Sequence, residues 1–593
     1  MKKLPNWDLE GIYPSVLSKE FSDALKDVEK TSKNIVSELN GFKVIENEAF
    51  KVFLRGIIKE INKVIDEFQT LSCYCYCKVS VNTSDKDSVN ALNKVENQGV
   101  WVNKVDLAFS KFLSSNQDLV KEVVKEKEFL DYKFVFDERI ESCNYKMSDE
   151  MEDLAYQMNL SGAQSWSRLQ ASLSSNASID FRGEKKTVIE LRALATSSDR
   201  SLRKEAYEKE LEIWDLHKTA FSYSLNGVKG ACLTLEKMRK WKSPLEHSAF
   251  DARINMKVID ALISTLEKNL PLFTRYFDAK AKALGLKKLA FFDLFAPVGK
   301  NTKRWEYEQT KDFIVKQYSL FNPAQGEFAK KAFESNWIDP EPRANKTGGA
   351  YDIYFPKVKQ SRVFANYDYT YDSVSTLAHE LGHAWHDRVV SNEEALTREY
   401  PMTLAETASI FGEFVVFQGA VKEADSMEKM SLVESFLQGA SQVCVDILCR
   451  FYFEREVFKR RQNGELMADE MSELMLECQK KTYGSGLDEN YLHKYMWAVK
   501  GHYYSEGFSF YNYPYAFGQL FGLGIYKKSQ EDTSKTPFCD KFNKMLSLTG
   551  KQDAITIAST VGCDITNSEF WQGGMDMIGE YITLFESLVN KVK

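Results

Sequence analysis

Histidine is scarce in this chain, with 7 residues among 593, so any cluster of them is a signal in itself. Proline numbers only 12 and glycine 30, which excludes collagen-like, low-complexity and largely disordered classes. A surplus of positive charge is also missing. Lys and Arg total 78 against 85 Asp and Glu, a net charge of −7. That balance offers no electrostatic footprint for nucleic acid or an anionic membrane surface, and neither is expected as a partner. No uninterrupted run of 18 apolar residues occurs, so no transmembrane helix is expected. Lys2 and Lys3 are followed at once by Pro5, Asn6, Asp8 and Glu10, which denies a secretory apolar segment. The ten cysteines lack C-x-x-C pairs. Cys73, Cys75 and Cys77 alternate with tyrosines and read as reduced core residues rather than a metal knuckle. Together these features predict a cytoplasmic protein.

What the chain has in quantity is helical periodicity. Phe21, Leu25 and Val28 recur about one turn apart within 18–40, with lysines and acids between them. Similar patterns run through 49–72, 118–130, 148–171, 186–240, 256–284, 404–421, 427–462 and 465–482. Strand signals are few: Ala350–Phe355 after two glycines, and Ser361–Tyr367, read as a small hairpin. The fold class is therefore mainly α. The softest break is the Ser- and Asn-rich stretch 172–184, so a division near residue 190 is expected, with an N-terminal helical region 1–190 and a catalytic domain 191–593.

One stretch carries sharp chemistry: His379-Glu380-Leu381-Gly382-His383. Residues four apart on a helix differ by about 40° in azimuth, so both imidazoles reach one cation. Glu380 stands about 100° round from His379, beside the metal, where it can take a proton from water. With so few histidines, chance would produce such a motif on the order of 0.01 times in a chain of this length. Asp372 or Ser373 is the expected helix cap. A metzincin would need Gly at position 386 and His at 389, whereas the chain has His386 and Val389. His386 lies about 10 Å along the axis from His379, too far to share its ion, and suits a supporting role.

A catalytic zinc needs a third protein ligand. Glu406, 23 residues after His383 on the next helical pattern, is the candidate, with Glu413 two turns on to orient a ligating histidine. Thr403-x-x-Glu406 also reads as a capping box, but the histidine motif favours ligation. Glu393 and Glu394, in the intervening loop, rank below it.

These residues, extended by Pro401–Glu413, Gly349-Ala350-Tyr351, the opening 6–14 and Leu160–Leu169, resemble the oligoendopeptidase F group of the thimet-oligopeptidase-like zinc metallopeptidases. The resemblance covers nearly the whole chain. It implies a Glu on the following helix as third ligand, matching Glu406, one Zn2+ per chain, and two helical portions enclosing a deep substrate channel. It also implies a histidine followed by tyrosines that touch substrate and oxyanion, which matches His502 with Tyr511 or Tyr513. Tyr515 is an alternative, and Phe510 stands where relatives often carry another tyrosine. The expected activity is hydrolysis of internal bonds in short, unstructured peptides. Two rivals stand beside it: a helical zinc carboxypeptidase, and a peptide-binding protein without catalysis, against which the intact Glu380 argues.

Overall fold

The computed structural model describes residues 3–43, 47–299 and 303–591. It is mainly helical, with two small sheets. The first predicted helix is Lys19–Gly41, started by Ser18, whose side chain accepts from the Phe21 N–H. Its buried residues Phe21, Val28, Ile35 and Leu39 form one stripe. The second, Asn47–Val81, is longer than its pattern suggested and runs through Cys73, Cys75 and Cys77, all buried. All ten cysteines are free thiols. The pattern at 148–171 is two helices, Asp149–Ser161 and Ala163–Asn176, separated at Gly162. The soft break at 172–184 hides a hairpin, Ser178–Phe181 with Glu184–Thr187. Its turn residues Arg182 and Gly183 both have positive φ, as a tight two-residue hairpin requires. A 30-residue helix, Lys86–Ser115, was not anticipated.

Two helical segments are long and apolar enough to cross a membrane by length and composition, where none was expected: Met402–Glu423 and Ser426–Arg461, each with mean hydropathy 1.2 over its best window. Those windows are 72% and 67% buried inside the protein, as core helices are.

The chain forms two units, each assembled from three stretches. One comprises Met1–Asn144, Lys303–Gly419 and Glu531–Cys563. Its N-terminal helices share an apolar core that includes Leu54, Leu71, Phe109 and Phe112. Its three-stranded sheet has Gln360–Phe364 in the middle, parallel to Ile338–Asp339 and antiparallel to Tyr351–Phe355. The helix Tyr371–Val390 packs on this sheet. The other unit comprises Tyr145–Thr302, Ala420–Gln530 and Asp564–Lys593. There Arg200–Met238 packs on Ala163–Asn176, and Met256–Ala283 on Ser568–Lys591. Residue 190 falls inside this second unit.

Candidate metal centre

The helix Tyr371–Val390 carries the histidine motif. Its cap is Thr370, whose side chain accepts from the Ser373 N–H, in place of Asp372 or Ser373. Chain direction reverses through 391–401, and the helix Met402–Glu423 returns alongside. Close approach of the two helices depends on Gly382. A Cβ there would stand 2.6 Å from both the Ala408 carbonyl oxygen and the Ser409 Cα, which are backbone atoms.

This approach brings three donors together. His379 Nε2 lies 3.2 Å from His383 Nε2 and 3.2 Å from Glu406 Oε2, and His383 Nε2 lies 3.5 Å from the same oxygen. Tetrahedral ligands at ordinary zinc distances stand about 3.3 Å apart. Two ring nitrogens facing each other and a carboxylate need a cation or a proton between them, so the donor set fits a divalent metal. Glu406 also accepts from the Ser409 hydroxyl at 3.0 Å. Burial opposes its charge, but the two imidazoles outweigh burial and hold the carboxyl well below the usual range.

Glu413 contacts the far side of His379, Oε2 to Nδ1 at 3.0 Å, while its other oxygen accepts from the Ser375 hydroxyl at 2.8 Å. With Nδ1–H donating to Glu413, the Nε2 lone pair faces the cluster. Burial works against a charged His379, yet Glu406 and Glu413 together raise its pKa well above the ordinary value. Glu380 is only 8% exposed. Burial raises its carboxyl above the usual value, and the imidazoles of His379 and His383 pull the other way.

His386 takes no part in the cluster. Its ring stacks on Tyr400 at 4.1 Å, and Nε2 pairs with the Thr549 hydroxyl at 2.9 Å. Burial pushes its pKa down to about 3, so it is a neutral packing residue. Glu393 pairs with Lys551, and Glu394 accepts from Asn62 and Tyr132; neither joins the donors.

The other predicted residues lie in the second unit. His502 meets Tyr511 edge-on at 4.9 Å, and Tyr515 lies 5.4 Å from Tyr511. Burial, with Arg450 and Lys500 nearby, lowers the His502 pKa and keeps its ring neutral. Tyr513 turns inward: it is fully buried, and its hydroxyl donates to the Ser248 carbonyl at 3.0 Å. The structure therefore groups Tyr511 and Tyr515, not Tyr513, with His502. Sequence reasoning missed Asp387, Tyr400 and Ser375 around the centre. Only Asp387, one turn past His383, had any local signal.

A two-histidine, one-glutamate cluster with a buried carboxylate beside it, on paired helices against a small sheet, defines a metallohydrolase of the HExxH type. The chain belongs to peptidase family M3, whose model matches residues 193–577; a second model, Oligopeptidase F, matches 111–181. It is 25% identical over 414 residues to Group B oligopeptidase PepB of Streptococcus agalactiae, covering 67% of this chain and 66% of that protein. It is 23% identical to oligopeptidase PepF of Bacillus subtilis, covering 100% of this chain and 88% of that one. Among solved structures, a putative peptidase from Chlamydophila abortus superposes with TM-score 0.82 at 21% identity, over 98% of each chain. Oligoendopeptidase-F from Enterococcus faecium does so with TM-score 0.69 at 18% identity, over 97% and 99%.

Proposed function

We propose that this chain is a zinc-dependent endopeptidase that hydrolyses internal bonds of short, unstructured peptides. The observation that carries this reading is the convergence of His379, His383 and Glu406 at ligand-to-ligand distances of 3.2–3.5 Å. These three residues hold one Zn2+ per chain, which supplies Lewis-acid polarisation of the scissile carbonyl and of a water. Glu413 keeps His379 in the ligating tautomer. Glu380 takes the proton of the attacking water and returns it to the leaving amine. His502 and Tyr511 are the proposed donors to the oxyanion; Tyr513 is less suited, because its hydroxyl already serves Ser248. The outer strand Tyr351–Phe355 offers backbone pairing to an extended peptide, which binds with little sequence selectivity. Ten free thiols support the proposal of a cytoplasmic protein. Neither nucleic acid nor membrane has a place in this reading.

Glu380→Gln should lower kcat on an internally quenched peptide by about 10²- to 10⁴-fold, with zinc still at one per chain by metal analysis. Near-wild-type cleavage by a zinc-loaded Glu380→Gln enzyme would sink the assignment. A C-terminally amidated peptide should still be cut; failure on that substrate alone would turn the reading toward a carboxypeptidase.

A further inference from the structure

Tyr511 stands on the stretch 505–512, which joins the turn Gly501–Tyr504 to the helix Tyr513–Glu531. Its two neighbours, Phe510 and Asn512, are each 2% exposed, while Tyr511 itself is half-buried. Phe510 has a φ of 58°, a left-handed conformation that a bulky residue keeps only where its surroundings hold it there. Those surroundings are specific. The Phe510 ring lies 5.5 Å from that of Phe451 and 5.7 Å from that of Phe458, both on the helix Ile447–Arg461. Its N–H donates at 3.1 Å to Oε1 of Glu454, on the same helix.

Glu454 is itself buried. Oε1 also accepts from Lys229 Nζ at 2.6 Å, and Oε2 accepts from the Asn512 side-chain amide at 2.7 Å. Lys229, on the helix Arg200–Met238, is as deeply buried, with its ammonium 4.6 Å from the centre of the Phe458 ring. An apolar pair of similar size would fill this core at no greater cost, but it could not accept two hydrogen bonds from the loop. The Asn512 N–H donates to the Phe510 carbonyl at 2.7 Å, closing a three-residue turn. Asn512 Oδ1 accepts from the Tyr513 N–H at 2.6 Å, where the next helix begins. One glutamate thus holds both ends of the turn, and Tyr511 is its apex, edge-on to His502 at 4.9 Å.

We propose that Glu454, with its charge balanced by Lys229, anchors this turn so that the Tyr511 hydroxyl is presented to the oxyanion. Glu454 and Asn512 are positioning residues, which act through Tyr511 and touch none of the reacting atoms. Released from Glu454, Phe510 is free to leave its left-handed conformation, and Tyr511 moves with it. A donor stabilises an oxyanion only when its place is fixed before the charge develops. Misplacement on the order of 1 Å is enough to cost about 10²-fold in rate.

The inference rests on Tyr511 as an oxyanion donor, and its test separates the two. Asn512→Ser keeps a hydroxyl where the next helix begins but is too short to reach Glu454. In the full-length, zinc-loaded enzyme it should lower kcat on the quenched peptide by about 10- to 100-fold, with KM and zinc content unchanged. Tyr511→Phe should lower kcat by about 10²- to 10³-fold. Combined, the two should cost no more than Tyr511→Phe alone, because the anchor acts through that hydroxyl. Losses that multiply overturn the anchor, as does wild-type kcat in Asn512→Ser. A loss that appears in KM or zinc content instead also overturns it, since that is general collapse of the site. Should Asn512→Ser fail to fold, Glu454→Gln combined with Lys229→Met removes both buried charges together. It keeps an oxygen for the Phe510 N–H, sets an amide against that of Asn512, and is judged in the same cycle. Wild-type kcat in Tyr511→Phe removes the oxyanion role and the anchor with it; an impaired Tyr511→Phe beside a fully active Asn512→Ser removes only the anchor.

Discussion

His379 and His386 lie seven residues apart on one helix, so they share nearly the same azimuth, about two turns from each other. Their surroundings are opposite. His379 stands between Glu406 and Glu413, which favour its charge or a cation in its place. His386 has an aromatic ring and a hydroxyl, Tyr400 and Thr549, and is held neutral by burial. The same residue type on the same stripe becomes a ligand in one turn and a packing block two turns later. What differs is the element that comes back to meet it: the glutamates arrive on Met402–Glu423, whereas Tyr400 and Thr549 come from loops.

The comparison breaks hardest when Glu406 is removed. Glu406→Ala should leave two histidines without a third ligand and strip zinc from the purified protein. If metal stays stoichiometric while Glu393→Ala loses it, the ligand set is wrong. A smaller effect is expected from Glu413→Gln, which keeps the ligands but weakens the orientation of His379. Zinc affinity should fall by about 10- to 100-fold in competition with a chelator. Gly382→Ala tests the approach of the two helices. Its Cβ meets backbone at 2.6 Å, so overpacking should cost about 1–3 kcal/mol, seen as a lower denaturation midpoint. Unchanged stability would mean that the helices part without penalty.

The mildest test sharpens the His386 side. Its pKa is lowered on folding to about 3 from an ordinary 6.5. Below 6.5 the unfolded chain takes up a proton that the folded site refuses, so stability is lost as pH falls and is fully present above 6.5. This one group contributes a slope of up to about 1.4 kcal/mol per pH unit. His386→Phe, which keeps a ring against Tyr400, should show a flatter loss of stability than wild type between pH 7 and 5 in denaturant titrations. Parallel curves would place the titrating histidine elsewhere.

Much of the centre was legible because its logic is local. The i, i+4 spacing of His379 and His383 follows from helix geometry alone, and a long apolar, proline-free run announced the return helix with Glu406 and Glu413 two turns apart. The hairpin was legible from its glycines and β-branched or aromatic runs; its first strand begins one residue later than the pattern placed it and ends as read, while the second begins one residue earlier and ends three residues sooner. The helix Lys86–Ser115 escaped notice because Asn, Gln and Gly99 interrupt its stripe, and its few buried positions take their meaning from the helices around it.

The sequence by itself determined that two imidazoles and a carboxylate share one turn of helix, since that depends only on 3.6 residues per turn. It also determined which nearby carboxylates were eligible to complete the site. Tertiary structure decided among them. Glu394 was drawn to Asn62 and Tyr132, Glu393 to Lys551, and Glu406 to the histidines, because Gly382 lets one helix backbone close on another. Tertiary structure also turned Tyr513 inward to Ser248 and left Tyr511 beside His502. Spacing sets which side chains share a face, but the partner of each is chosen by the element that packs against that face, and that contact is not local in the chain.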